Sequence, residues 1–243
     1  MESETMSRGM FIVVEGIDRS GKSTQARLLV DALREGELDV VAMRFPNYDT
    51  PIGALLKRFL CSEIELDAHT AHLLFCANRA EQLDTIVAHL RAGTTIVCDR
   101  YVYSGIAYST AKGVSLDWCK SIERGLPRPD VILFFDVPVS VVSQRSHFGV
   151  NDRHEKIEFL ECVSHAYKDA LHCEELRMLR YADSTIDAIA KQVAMEVAEA
   201  FNSVRLDKAV DRLFPVEEEE EDDATSVDAA AGGDDDDDDN DKS

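Results

Sequence analysis

Eight consecutive residues near the start of the chain, Gly16-Ile17-Asp18-Arg19-Ser20-Gly21-Lys22-Ser23, have types and spacing suited to phosphate chemistry. They match G-x-x-x-x-G-K-[ST] in full. The glycines let successive backbone N–H groups curl around phosphate oxygens, and a helix that follows turns its positive end toward the same atoms. Lys22 adds a point charge near the β- and γ-phosphates, and the Ser23 hydroxyl reaches Mg²⁺. The competing reading is an accidental turn, but an apolar strand before the loop and a helix after it speak for a P-loop.

A P-loop implies a nucleoside triphosphate without specifying the reaction. A switch GTPase needs a guanine-reading Asn-Lys-x-Asp segment, and the chain has none. Motor and transport ATPases usually end an apolar strand in Asp-Glu, whereas here it ends Cys98-Asp99-Arg100. Asp99 suits Mg²⁺ or its waters. Arg100, directly after it, suits a second, phosphorylated substrate, with a structural ion pair as the alternative. Farther on, Phe75 and Arg79 lie four apart in a helical stretch and so share one face. A ring that stacks beside a guanidinium that donates is suited to a planar base. Taken alone, though, the pair is more ordinarily a core Phe and a solvated Arg.

Positioning these groups requires a parallel scaffold. Short apolar runs at 10–14, 40–45, 95–98, 131–135 and 177–181 read as strands. Helical patterns at 22–34, 51–60, 67–91, 157–175 and 185–204 alternate with them. The alternation predicts an α/β fold of three layers, with a central parallel sheet of about five strands and helices on both faces. Ligands then collect at the carboxyl ends of the strands.

Composition narrows the setting. The 243 residues are 45% hydrophobic, enough for one sizeable core. The net charge of -21 is concentrated at one end, because residues 217–243 hold fifteen Asp/Glu and one Lys, about two thirds of it. The expected organisation is a domain over 1–206 and an acidic tail over 207–243, disordered because such blocks bury too little apolar surface. A solvated tail is the plain reading, and a contact arm for a basic partner the specific one. A body that is itself acidic excludes a general nucleic-acid binder. No apolar run reaches eighteen residues and the N-terminus lacks an apolar leader, so neither a membrane span nor secretion is expected. Six scattered cysteines without a Cys-x-x-Cys pair speak against a zinc site or disulfide framework and fit reduced thiols, hence a cytoplasmic or nuclear setting.

Residues 11–24 (FIVVEGIDRSGKST), Phe45-Pro46, 73–82 (LLFCANRAEQ) and 99–112 (DRYVYSGIAYSTAK) together resemble the thymidylate kinases, in that order. Segments 115–120 (SLDWCK), 125–130 (GLPRPD) and 148–155 extend the resemblance to roughly residues 8–206. It implies a P-loop NTPase fold with a lid at about 145–156, and transfer of the ATP γ-phosphate to dTMP with Mg²⁺. Gly16, Arg19, Ser20, Gly21, Lys22, Ser23 and Thr24 are implied to bind the ATP phosphates. Lys22 would clamp charge, Arg19 bridge donor and acceptor phosphates, Asp18 face the acceptor sugar, and Ser23 and Asp99 serve the metal. Phe45, Pro46 and Leu60 would border the acceptor pocket, with Phe75 stacked on thymine and Arg79 donating to its O4. Arg100 would hold the acceptor phosphate, and Ser104, Gly105 and Tyr108 would close the pocket. Arg145 and Arg153 belong to the implied lid that closes over ATP, with Arg145 among the ATP-binding residues, and residues 182–186 would lie near adenine. Two positions depart from the pattern. Tyr48 stands where many relatives carry an arginine near the acceptor phosphate. His154 stands where a lid tyrosine covers the substrate, and is placed in the acceptor site on that ground. A homodimer is implied by the resemblance alone.

No Ser/His/Asp triad is visible, and none is required, because a phosphate monoester with a second pKa of about 6 is already an anionic nucleophile at neutral pH. The alternatives are a deoxynucleoside kinase and a nucleotide-gated binding protein.

Overall fold

The computed structural model of the chain describes residues 7–145, 156–171, 173, 175–181 and 184–215. Five parallel strands form one sheet: β1 (Phe11–Gly16), β2 (Val40–Arg44), β3 (Thr95–Asp99), β4 (Val131–Asp136) and β5 (Leu176–Arg180), in the order β2-β3-β1-β4-β5. The central strand β1 is buried along its whole length, as a strand covered on both faces must be. It pairs with β3 from Phe11↔Ile96 to Val14↔Asp99, and with β4 from Ile12↔Val131 to Gly16↔Phe135. That register brings Gly16 and Asp99, the last residues of β1 and β3, to one edge of the sheet.

Helices cover both faces. α1 (Lys22–Glu35) and α9 (Ile186–Ser203) pack on each other over one face. The other face carries α4 (Leu83–Arg91), α5 (Val102–Thr110) and α8 (Ile157–Ala170), with α2 (Pro51–Leu60), α3 (Ala68–Ala80), α6 (Leu116–Ile122) and the short α7 (Val139–Val142) around them. Right-handed crossovers place them so.

The expected helix over 67–91 is two helices. Glu81 and Gln82 separate α3 from α4, although the apolar period runs through them without a Gly or Pro. The break follows a tertiary demand on Asn78, which is wholly buried. Its amide accepts from the Asn47 backbone N–H at 2.7 Å and donates to the Asn47 carbonyl at 3.0 Å and to Glu81 Oε1 at 2.7 Å. The last turn of α3 is thereby tied to the turn after β2.

The folded body also runs past the expected boundary at 206. Leu213 is 3% exposed, donates its N–H to the Leu126 carbonyl at 2.8 Å and accepts from Gly125 N–H at 3.1 Å. Arg128 N–H reaches the Asp211 carbonyl at 2.8 Å, and Arg8 N–H the Leu206 carbonyl at 3.0 Å. Arg8 in turn pairs with Asp130, just before β4. Residues 206–214 thus strap the edge where β1 and β4 begin, opposite the edge that holds Gly16 and Asp99. The acidic run from residue 217 lies outside the described residues, as does most of the lid segment.

Candidate active site

The loop between β1 and α1 has the backbone turn that a phosphate cradle requires. Gly16 has φ +144°, and a Cβ there would fall 2.8 Å from the Phe135 carbonyl and 3.0 Å from Ser20 Oγ, so only glycine fits. Gly21, the N-cap of α1, has no side chain to cap it, so among the described residues the first N–H groups of the helix suit a ligand anion. Lys22, 4% exposed, donates to the Ile17 carbonyl at 2.5 Å. Burial, and next the charge of Arg100, push its ammonium down from 10.5 to about 7, against the pull of Asp18, Asp99 and Glu15. It also donates to Ser20 Oγ at 3.4 Å, while Gly21 is the N-cap of α1 and Thr24 lies in the first turn of that helix. The Tyr181 hydroxyl donates to the Ser20 carbonyl at 2.8 Å, and Arg145 donates to the Arg19 carbonyl. The expected lid arginine 145 therefore contacts the cradle, whereas Arg153 and His154 lie outside the described residues, as do 182 and 183 of the adenine loop.

Asp99 closes the cradle from β3. Its Oδ2 accepts from Ser23 Oγ at 2.5 Å, and its Oδ1 is buried without a partner among the described residues. An orphaned carboxylate oxygen beside a hydroxyl is a donor set that fits a hard, oxygen-seeking cation. Among the described residues no cluster of three or more His, Cys, Asp or Glu could hold a metal by itself, so most of any cation's ligands would come from phosphate and water.

Beside the cradle opens a cavity of about 150 Å³. Asp18, Phe45, Pro46, Leu60, Phe75, Arg79, Arg100, Ser104, Gly105 and Tyr108, each predicted for the acceptor pocket, all line it. Tyr48 lines it as well. Arg100 joins the two compartments. It pairs with Asp18, donates to Ser104 Oγ at 3.1 Å and to the Gly16 carbonyl at 3.3 Å, and lies 5.7 Å from the centre of the Tyr108 ring. Burial, the largest single effect, would lower its pKa, but Asp18 together with Tyr108, Tyr167 and Glu15 more than offsets it, so the guanidinium stays charged. Asp18 also accepts from the Tyr108 hydroxyl at 2.6 Å. Arg19 and Arg100 have φ of 60° and 70°, a left-handed backbone that costs a non-glycine residue about 1–3 kcal/mol.

Three groups escaped the sequence reading. Glu15, wholly buried, accepts from Tyr101 N–H at 2.8 Å, Ser104 N–H at 3.1 Å, Ser104 Oγ at 2.6 Å and the Tyr167 hydroxyl at 3.0 Å. It fastens β1 to the turn that carries Arg100. A charged residue inside an otherwise apolar strand was the available signal. Glu123, also wholly buried, pairs with Arg79, which is therefore not a solvated helix arginine. Lys112 lies 5.3 Å from the Phe59 ring and 5.8 Å from the Phe159 ring and lines the pocket wall; neither it nor Glu123 left a local signal.

A triphosphate cradle that shares an aspartate and an arginine with a flat, aromatic-walled pocket defines a P-loop phosphotransferase with a second nucleotide as acceptor. The family profile described as thymidylate kinase matches residues 14–193. The chain belongs to the thymidylate kinase family. It is 38% identical over 207 residues to a thymidylate kinase of Dictyostelium discoideum, covering 84% of this chain and 92% of that one. To the human thymidylate kinase it is 44% identical over 167 residues, 67% of this chain and 78% of the other. A solved thymidylate kinase structure from Candida albicans superposes with a TM-score of 0.76 at 32% identity, covering 86% and 99% of the two chains. The protein is accordingly an enzyme, a nucleotide-binding kinase of the transferase class.

Proposed function

We propose that this enzyme transfers the γ-phosphoryl group of ATP to dTMP, giving dTDP and ADP, with Mg²⁺ on the donor phosphates. The observation that carries the reading is the shared pair, Asp18 with Arg100, at the wall between cradle and pocket. The acceptor phosphate is already anionic at neutral pH, so the chain supplies alignment and charge rather than a general base. Lys22 and the α1 N-terminus hold the donor phosphates, and Arg19 and Arg100 neutralise charge where the two phosphate chains meet. Ser23 and Asp99 would hold Mg²⁺, which neutralises charge on the phosphate oxygens when bound. In the pocket Phe75 stacks on the base and Arg79 donates to thymine O4, where cytosine presents an amino donor instead. The methyl group is worth about 0.8 kcal/mol if buried, so dUMP is a substrate roughly fourfold weaker. Assembly as a homodimer and a reducing, cytoplasmic setting belong to the same reading and rest on likeness to the family.

The test is ADP release across a panel of nucleoside monophosphates, with thymidine as a further acceptor. Turnover with dTMP and none with thymidine is the expected result. Preference for thymidine would instead establish a deoxynucleoside kinase.

A further inference from the structure

Arg79 does not meet the pocket as a free guanidinium. Its Nε donates to Glu123 Oε2 at 3.1 Å, and its Nη2 donates to Glu123 Oε1. Among the described residues its Nη1 has no hydrogen-bond partner, while the side chain, 2% exposed, lines the cavity together with Phe75. A guanidinium is a rigid planar fork, so a carboxylate that takes the Nε and Nη2 edge fixes the direction of the remaining nitrogen. The pair lies flat against α5, where Gly105 leaves room. A Cβ at 105 would stand 2.8 Å from Nη2 and 3.3 Å from both Nη1 and Glu123 Oε1.

Among the described residues no second cation bonds the Glu123 carboxylate, and the Cys76 thiol that also hydrogen-bonds it is kept protonated by burial and then by Glu123 itself. His72 Nε2 lies 3.7 Å from Oε1, too far for a hydrogen bond, and is itself unpartnered. The other ring nitrogen, Nδ1, meets Ser109 Oγ at 2.9 Å and the Gly105 carbonyl at 3.3 Å. Burial holds the His72 imidazole below its ordinary range, against the pull of Glu123, so it stays neutral. Among the described residues Arg79 is thus the cation that matches the Glu123 charge; burial lowers the Arg79 pKa, and Glu123, with Cys76 and Tyr101, more than restores it, so the guanidinium stays charged.

We infer that Glu123 is the positioning residue for base selection: it aims the Nη1 edge of Arg79 at position 4 of the pyrimidine and so sets the preference for a 4-oxo over a 4-amino base. The inference rests on the proposed reading of the base by Arg79. The opposing account makes Glu123 a counter-ion only, needed for folding and indifferent to the base.

The two accounts part on a pair of selectivity ratios. The efficiency for dTMP over 5-methyl-dCMP reports the position-4 edge, where the change from oxo to amino also takes the proton off N3, since both bases carry the methyl group. The efficiency for dTMP over dUMP reports position 5. In Glu123→Gln the neutral amide can accept only one of the two guanidinium bonds and opposes the other with a donor. The position-4 ratio should then fall at least tenfold, with the position-5 ratio and the KM for ATP within twofold of wild type. If the position-4 ratio is unchanged, or both ratios fall together, the inference is overturned. Arg79→Lys, measured in parallel, separates the two layers. Loss of the position-4 ratio in Arg79→Lys but not in Glu123→Gln sinks only the role of Glu123. An unchanged ratio in both removes the base reading and this inference with it. Should the glutamine variant not fold, Glu123→Asp keeps both acceptor oxygens one methylene farther back. A partial loss of the position-4 ratio then supports the inference, and a wild-type ratio overturns it.

Discussion

Lys22 carries the most telling consequence at the scale of single residues. In the free protein its pKa stands at about 7, whereas an unfolded chain keeps the ordinary value of 10.5. Between those values the unfolded state binds more protons, so stability rises with pH across that window and the cost of the buried charge is felt in full below it. A bound triphosphate reverses the balance and restores the proton. ATP binding at pH 8 should therefore take up most of one proton, measurable by calorimetry in buffers of different ionisation enthalpy. Lys22→Met should abolish the uptake, lower turnover at least about a hundredfold, and melt no lower than wild type, since a buried charge has been removed. A variant that still took up the proton would relocate it to another group. The sequence made Lys22 legible because its motif is local. It could not show Glu123 or Glu15 as partners, because each pairing joins positions far apart, Arg79 to Glu123 and Glu15 to Ser104 and Tyr167, and no period or motif marks such a distance.

The helices around the pocket work as walls whose spacing is set by one small residue. Gly105 on α5 faces the Arg79–Glu123 pair coming from α3 and the end of α6. The end of a long side chain usually yields to an added methyl group, but this one is pinned by its carboxylate. Gly105→Ala should then push the guanidinium out of register, lowering efficiency on dTMP on the order of tenfold or more with the KM for ATP unchanged. Overpacking should also cost about 1–3 kcal/mol of stability, read in the melting curve. A fully active variant would mean that the pair has slack. At this scale the strands and α1 were readable from apolar runs and the P-loop. The α3–α4 break was not, because Asn78 imposes it by reaching across to Asn47. The short helices α5 to α7 went unread because four to nine residues hold too little of a helical period to stand out.

For the molecule as a whole, the strap over 206–214 belongs to the domain rather than to the acidic run beyond it. Truncation after residue 206 removes buried Leu213 and the backbone bonds at Leu126, Gly125 and Arg128. Losing a buried leucine alone costs about 2–5 kcal/mol, or roughly 5–15 °C in a domain of this size. Truncation after Pro215 keeps every one of these contacts and should leave melting within about a degree and turnover within about twofold. Equal melting of the two truncations would show that the strap adds nothing. The same strap brings Arg8 and Leu206 together at the edge where β1 and β4 begin, so the described chain enters and leaves on the side away from the phosphate cradle. A fusion partner or surface tether joined directly at Ser7 or at Pro215 therefore attaches on the side away from the cradle, and a sensor built on residues 7–215 can be anchored there without shielding its substrates.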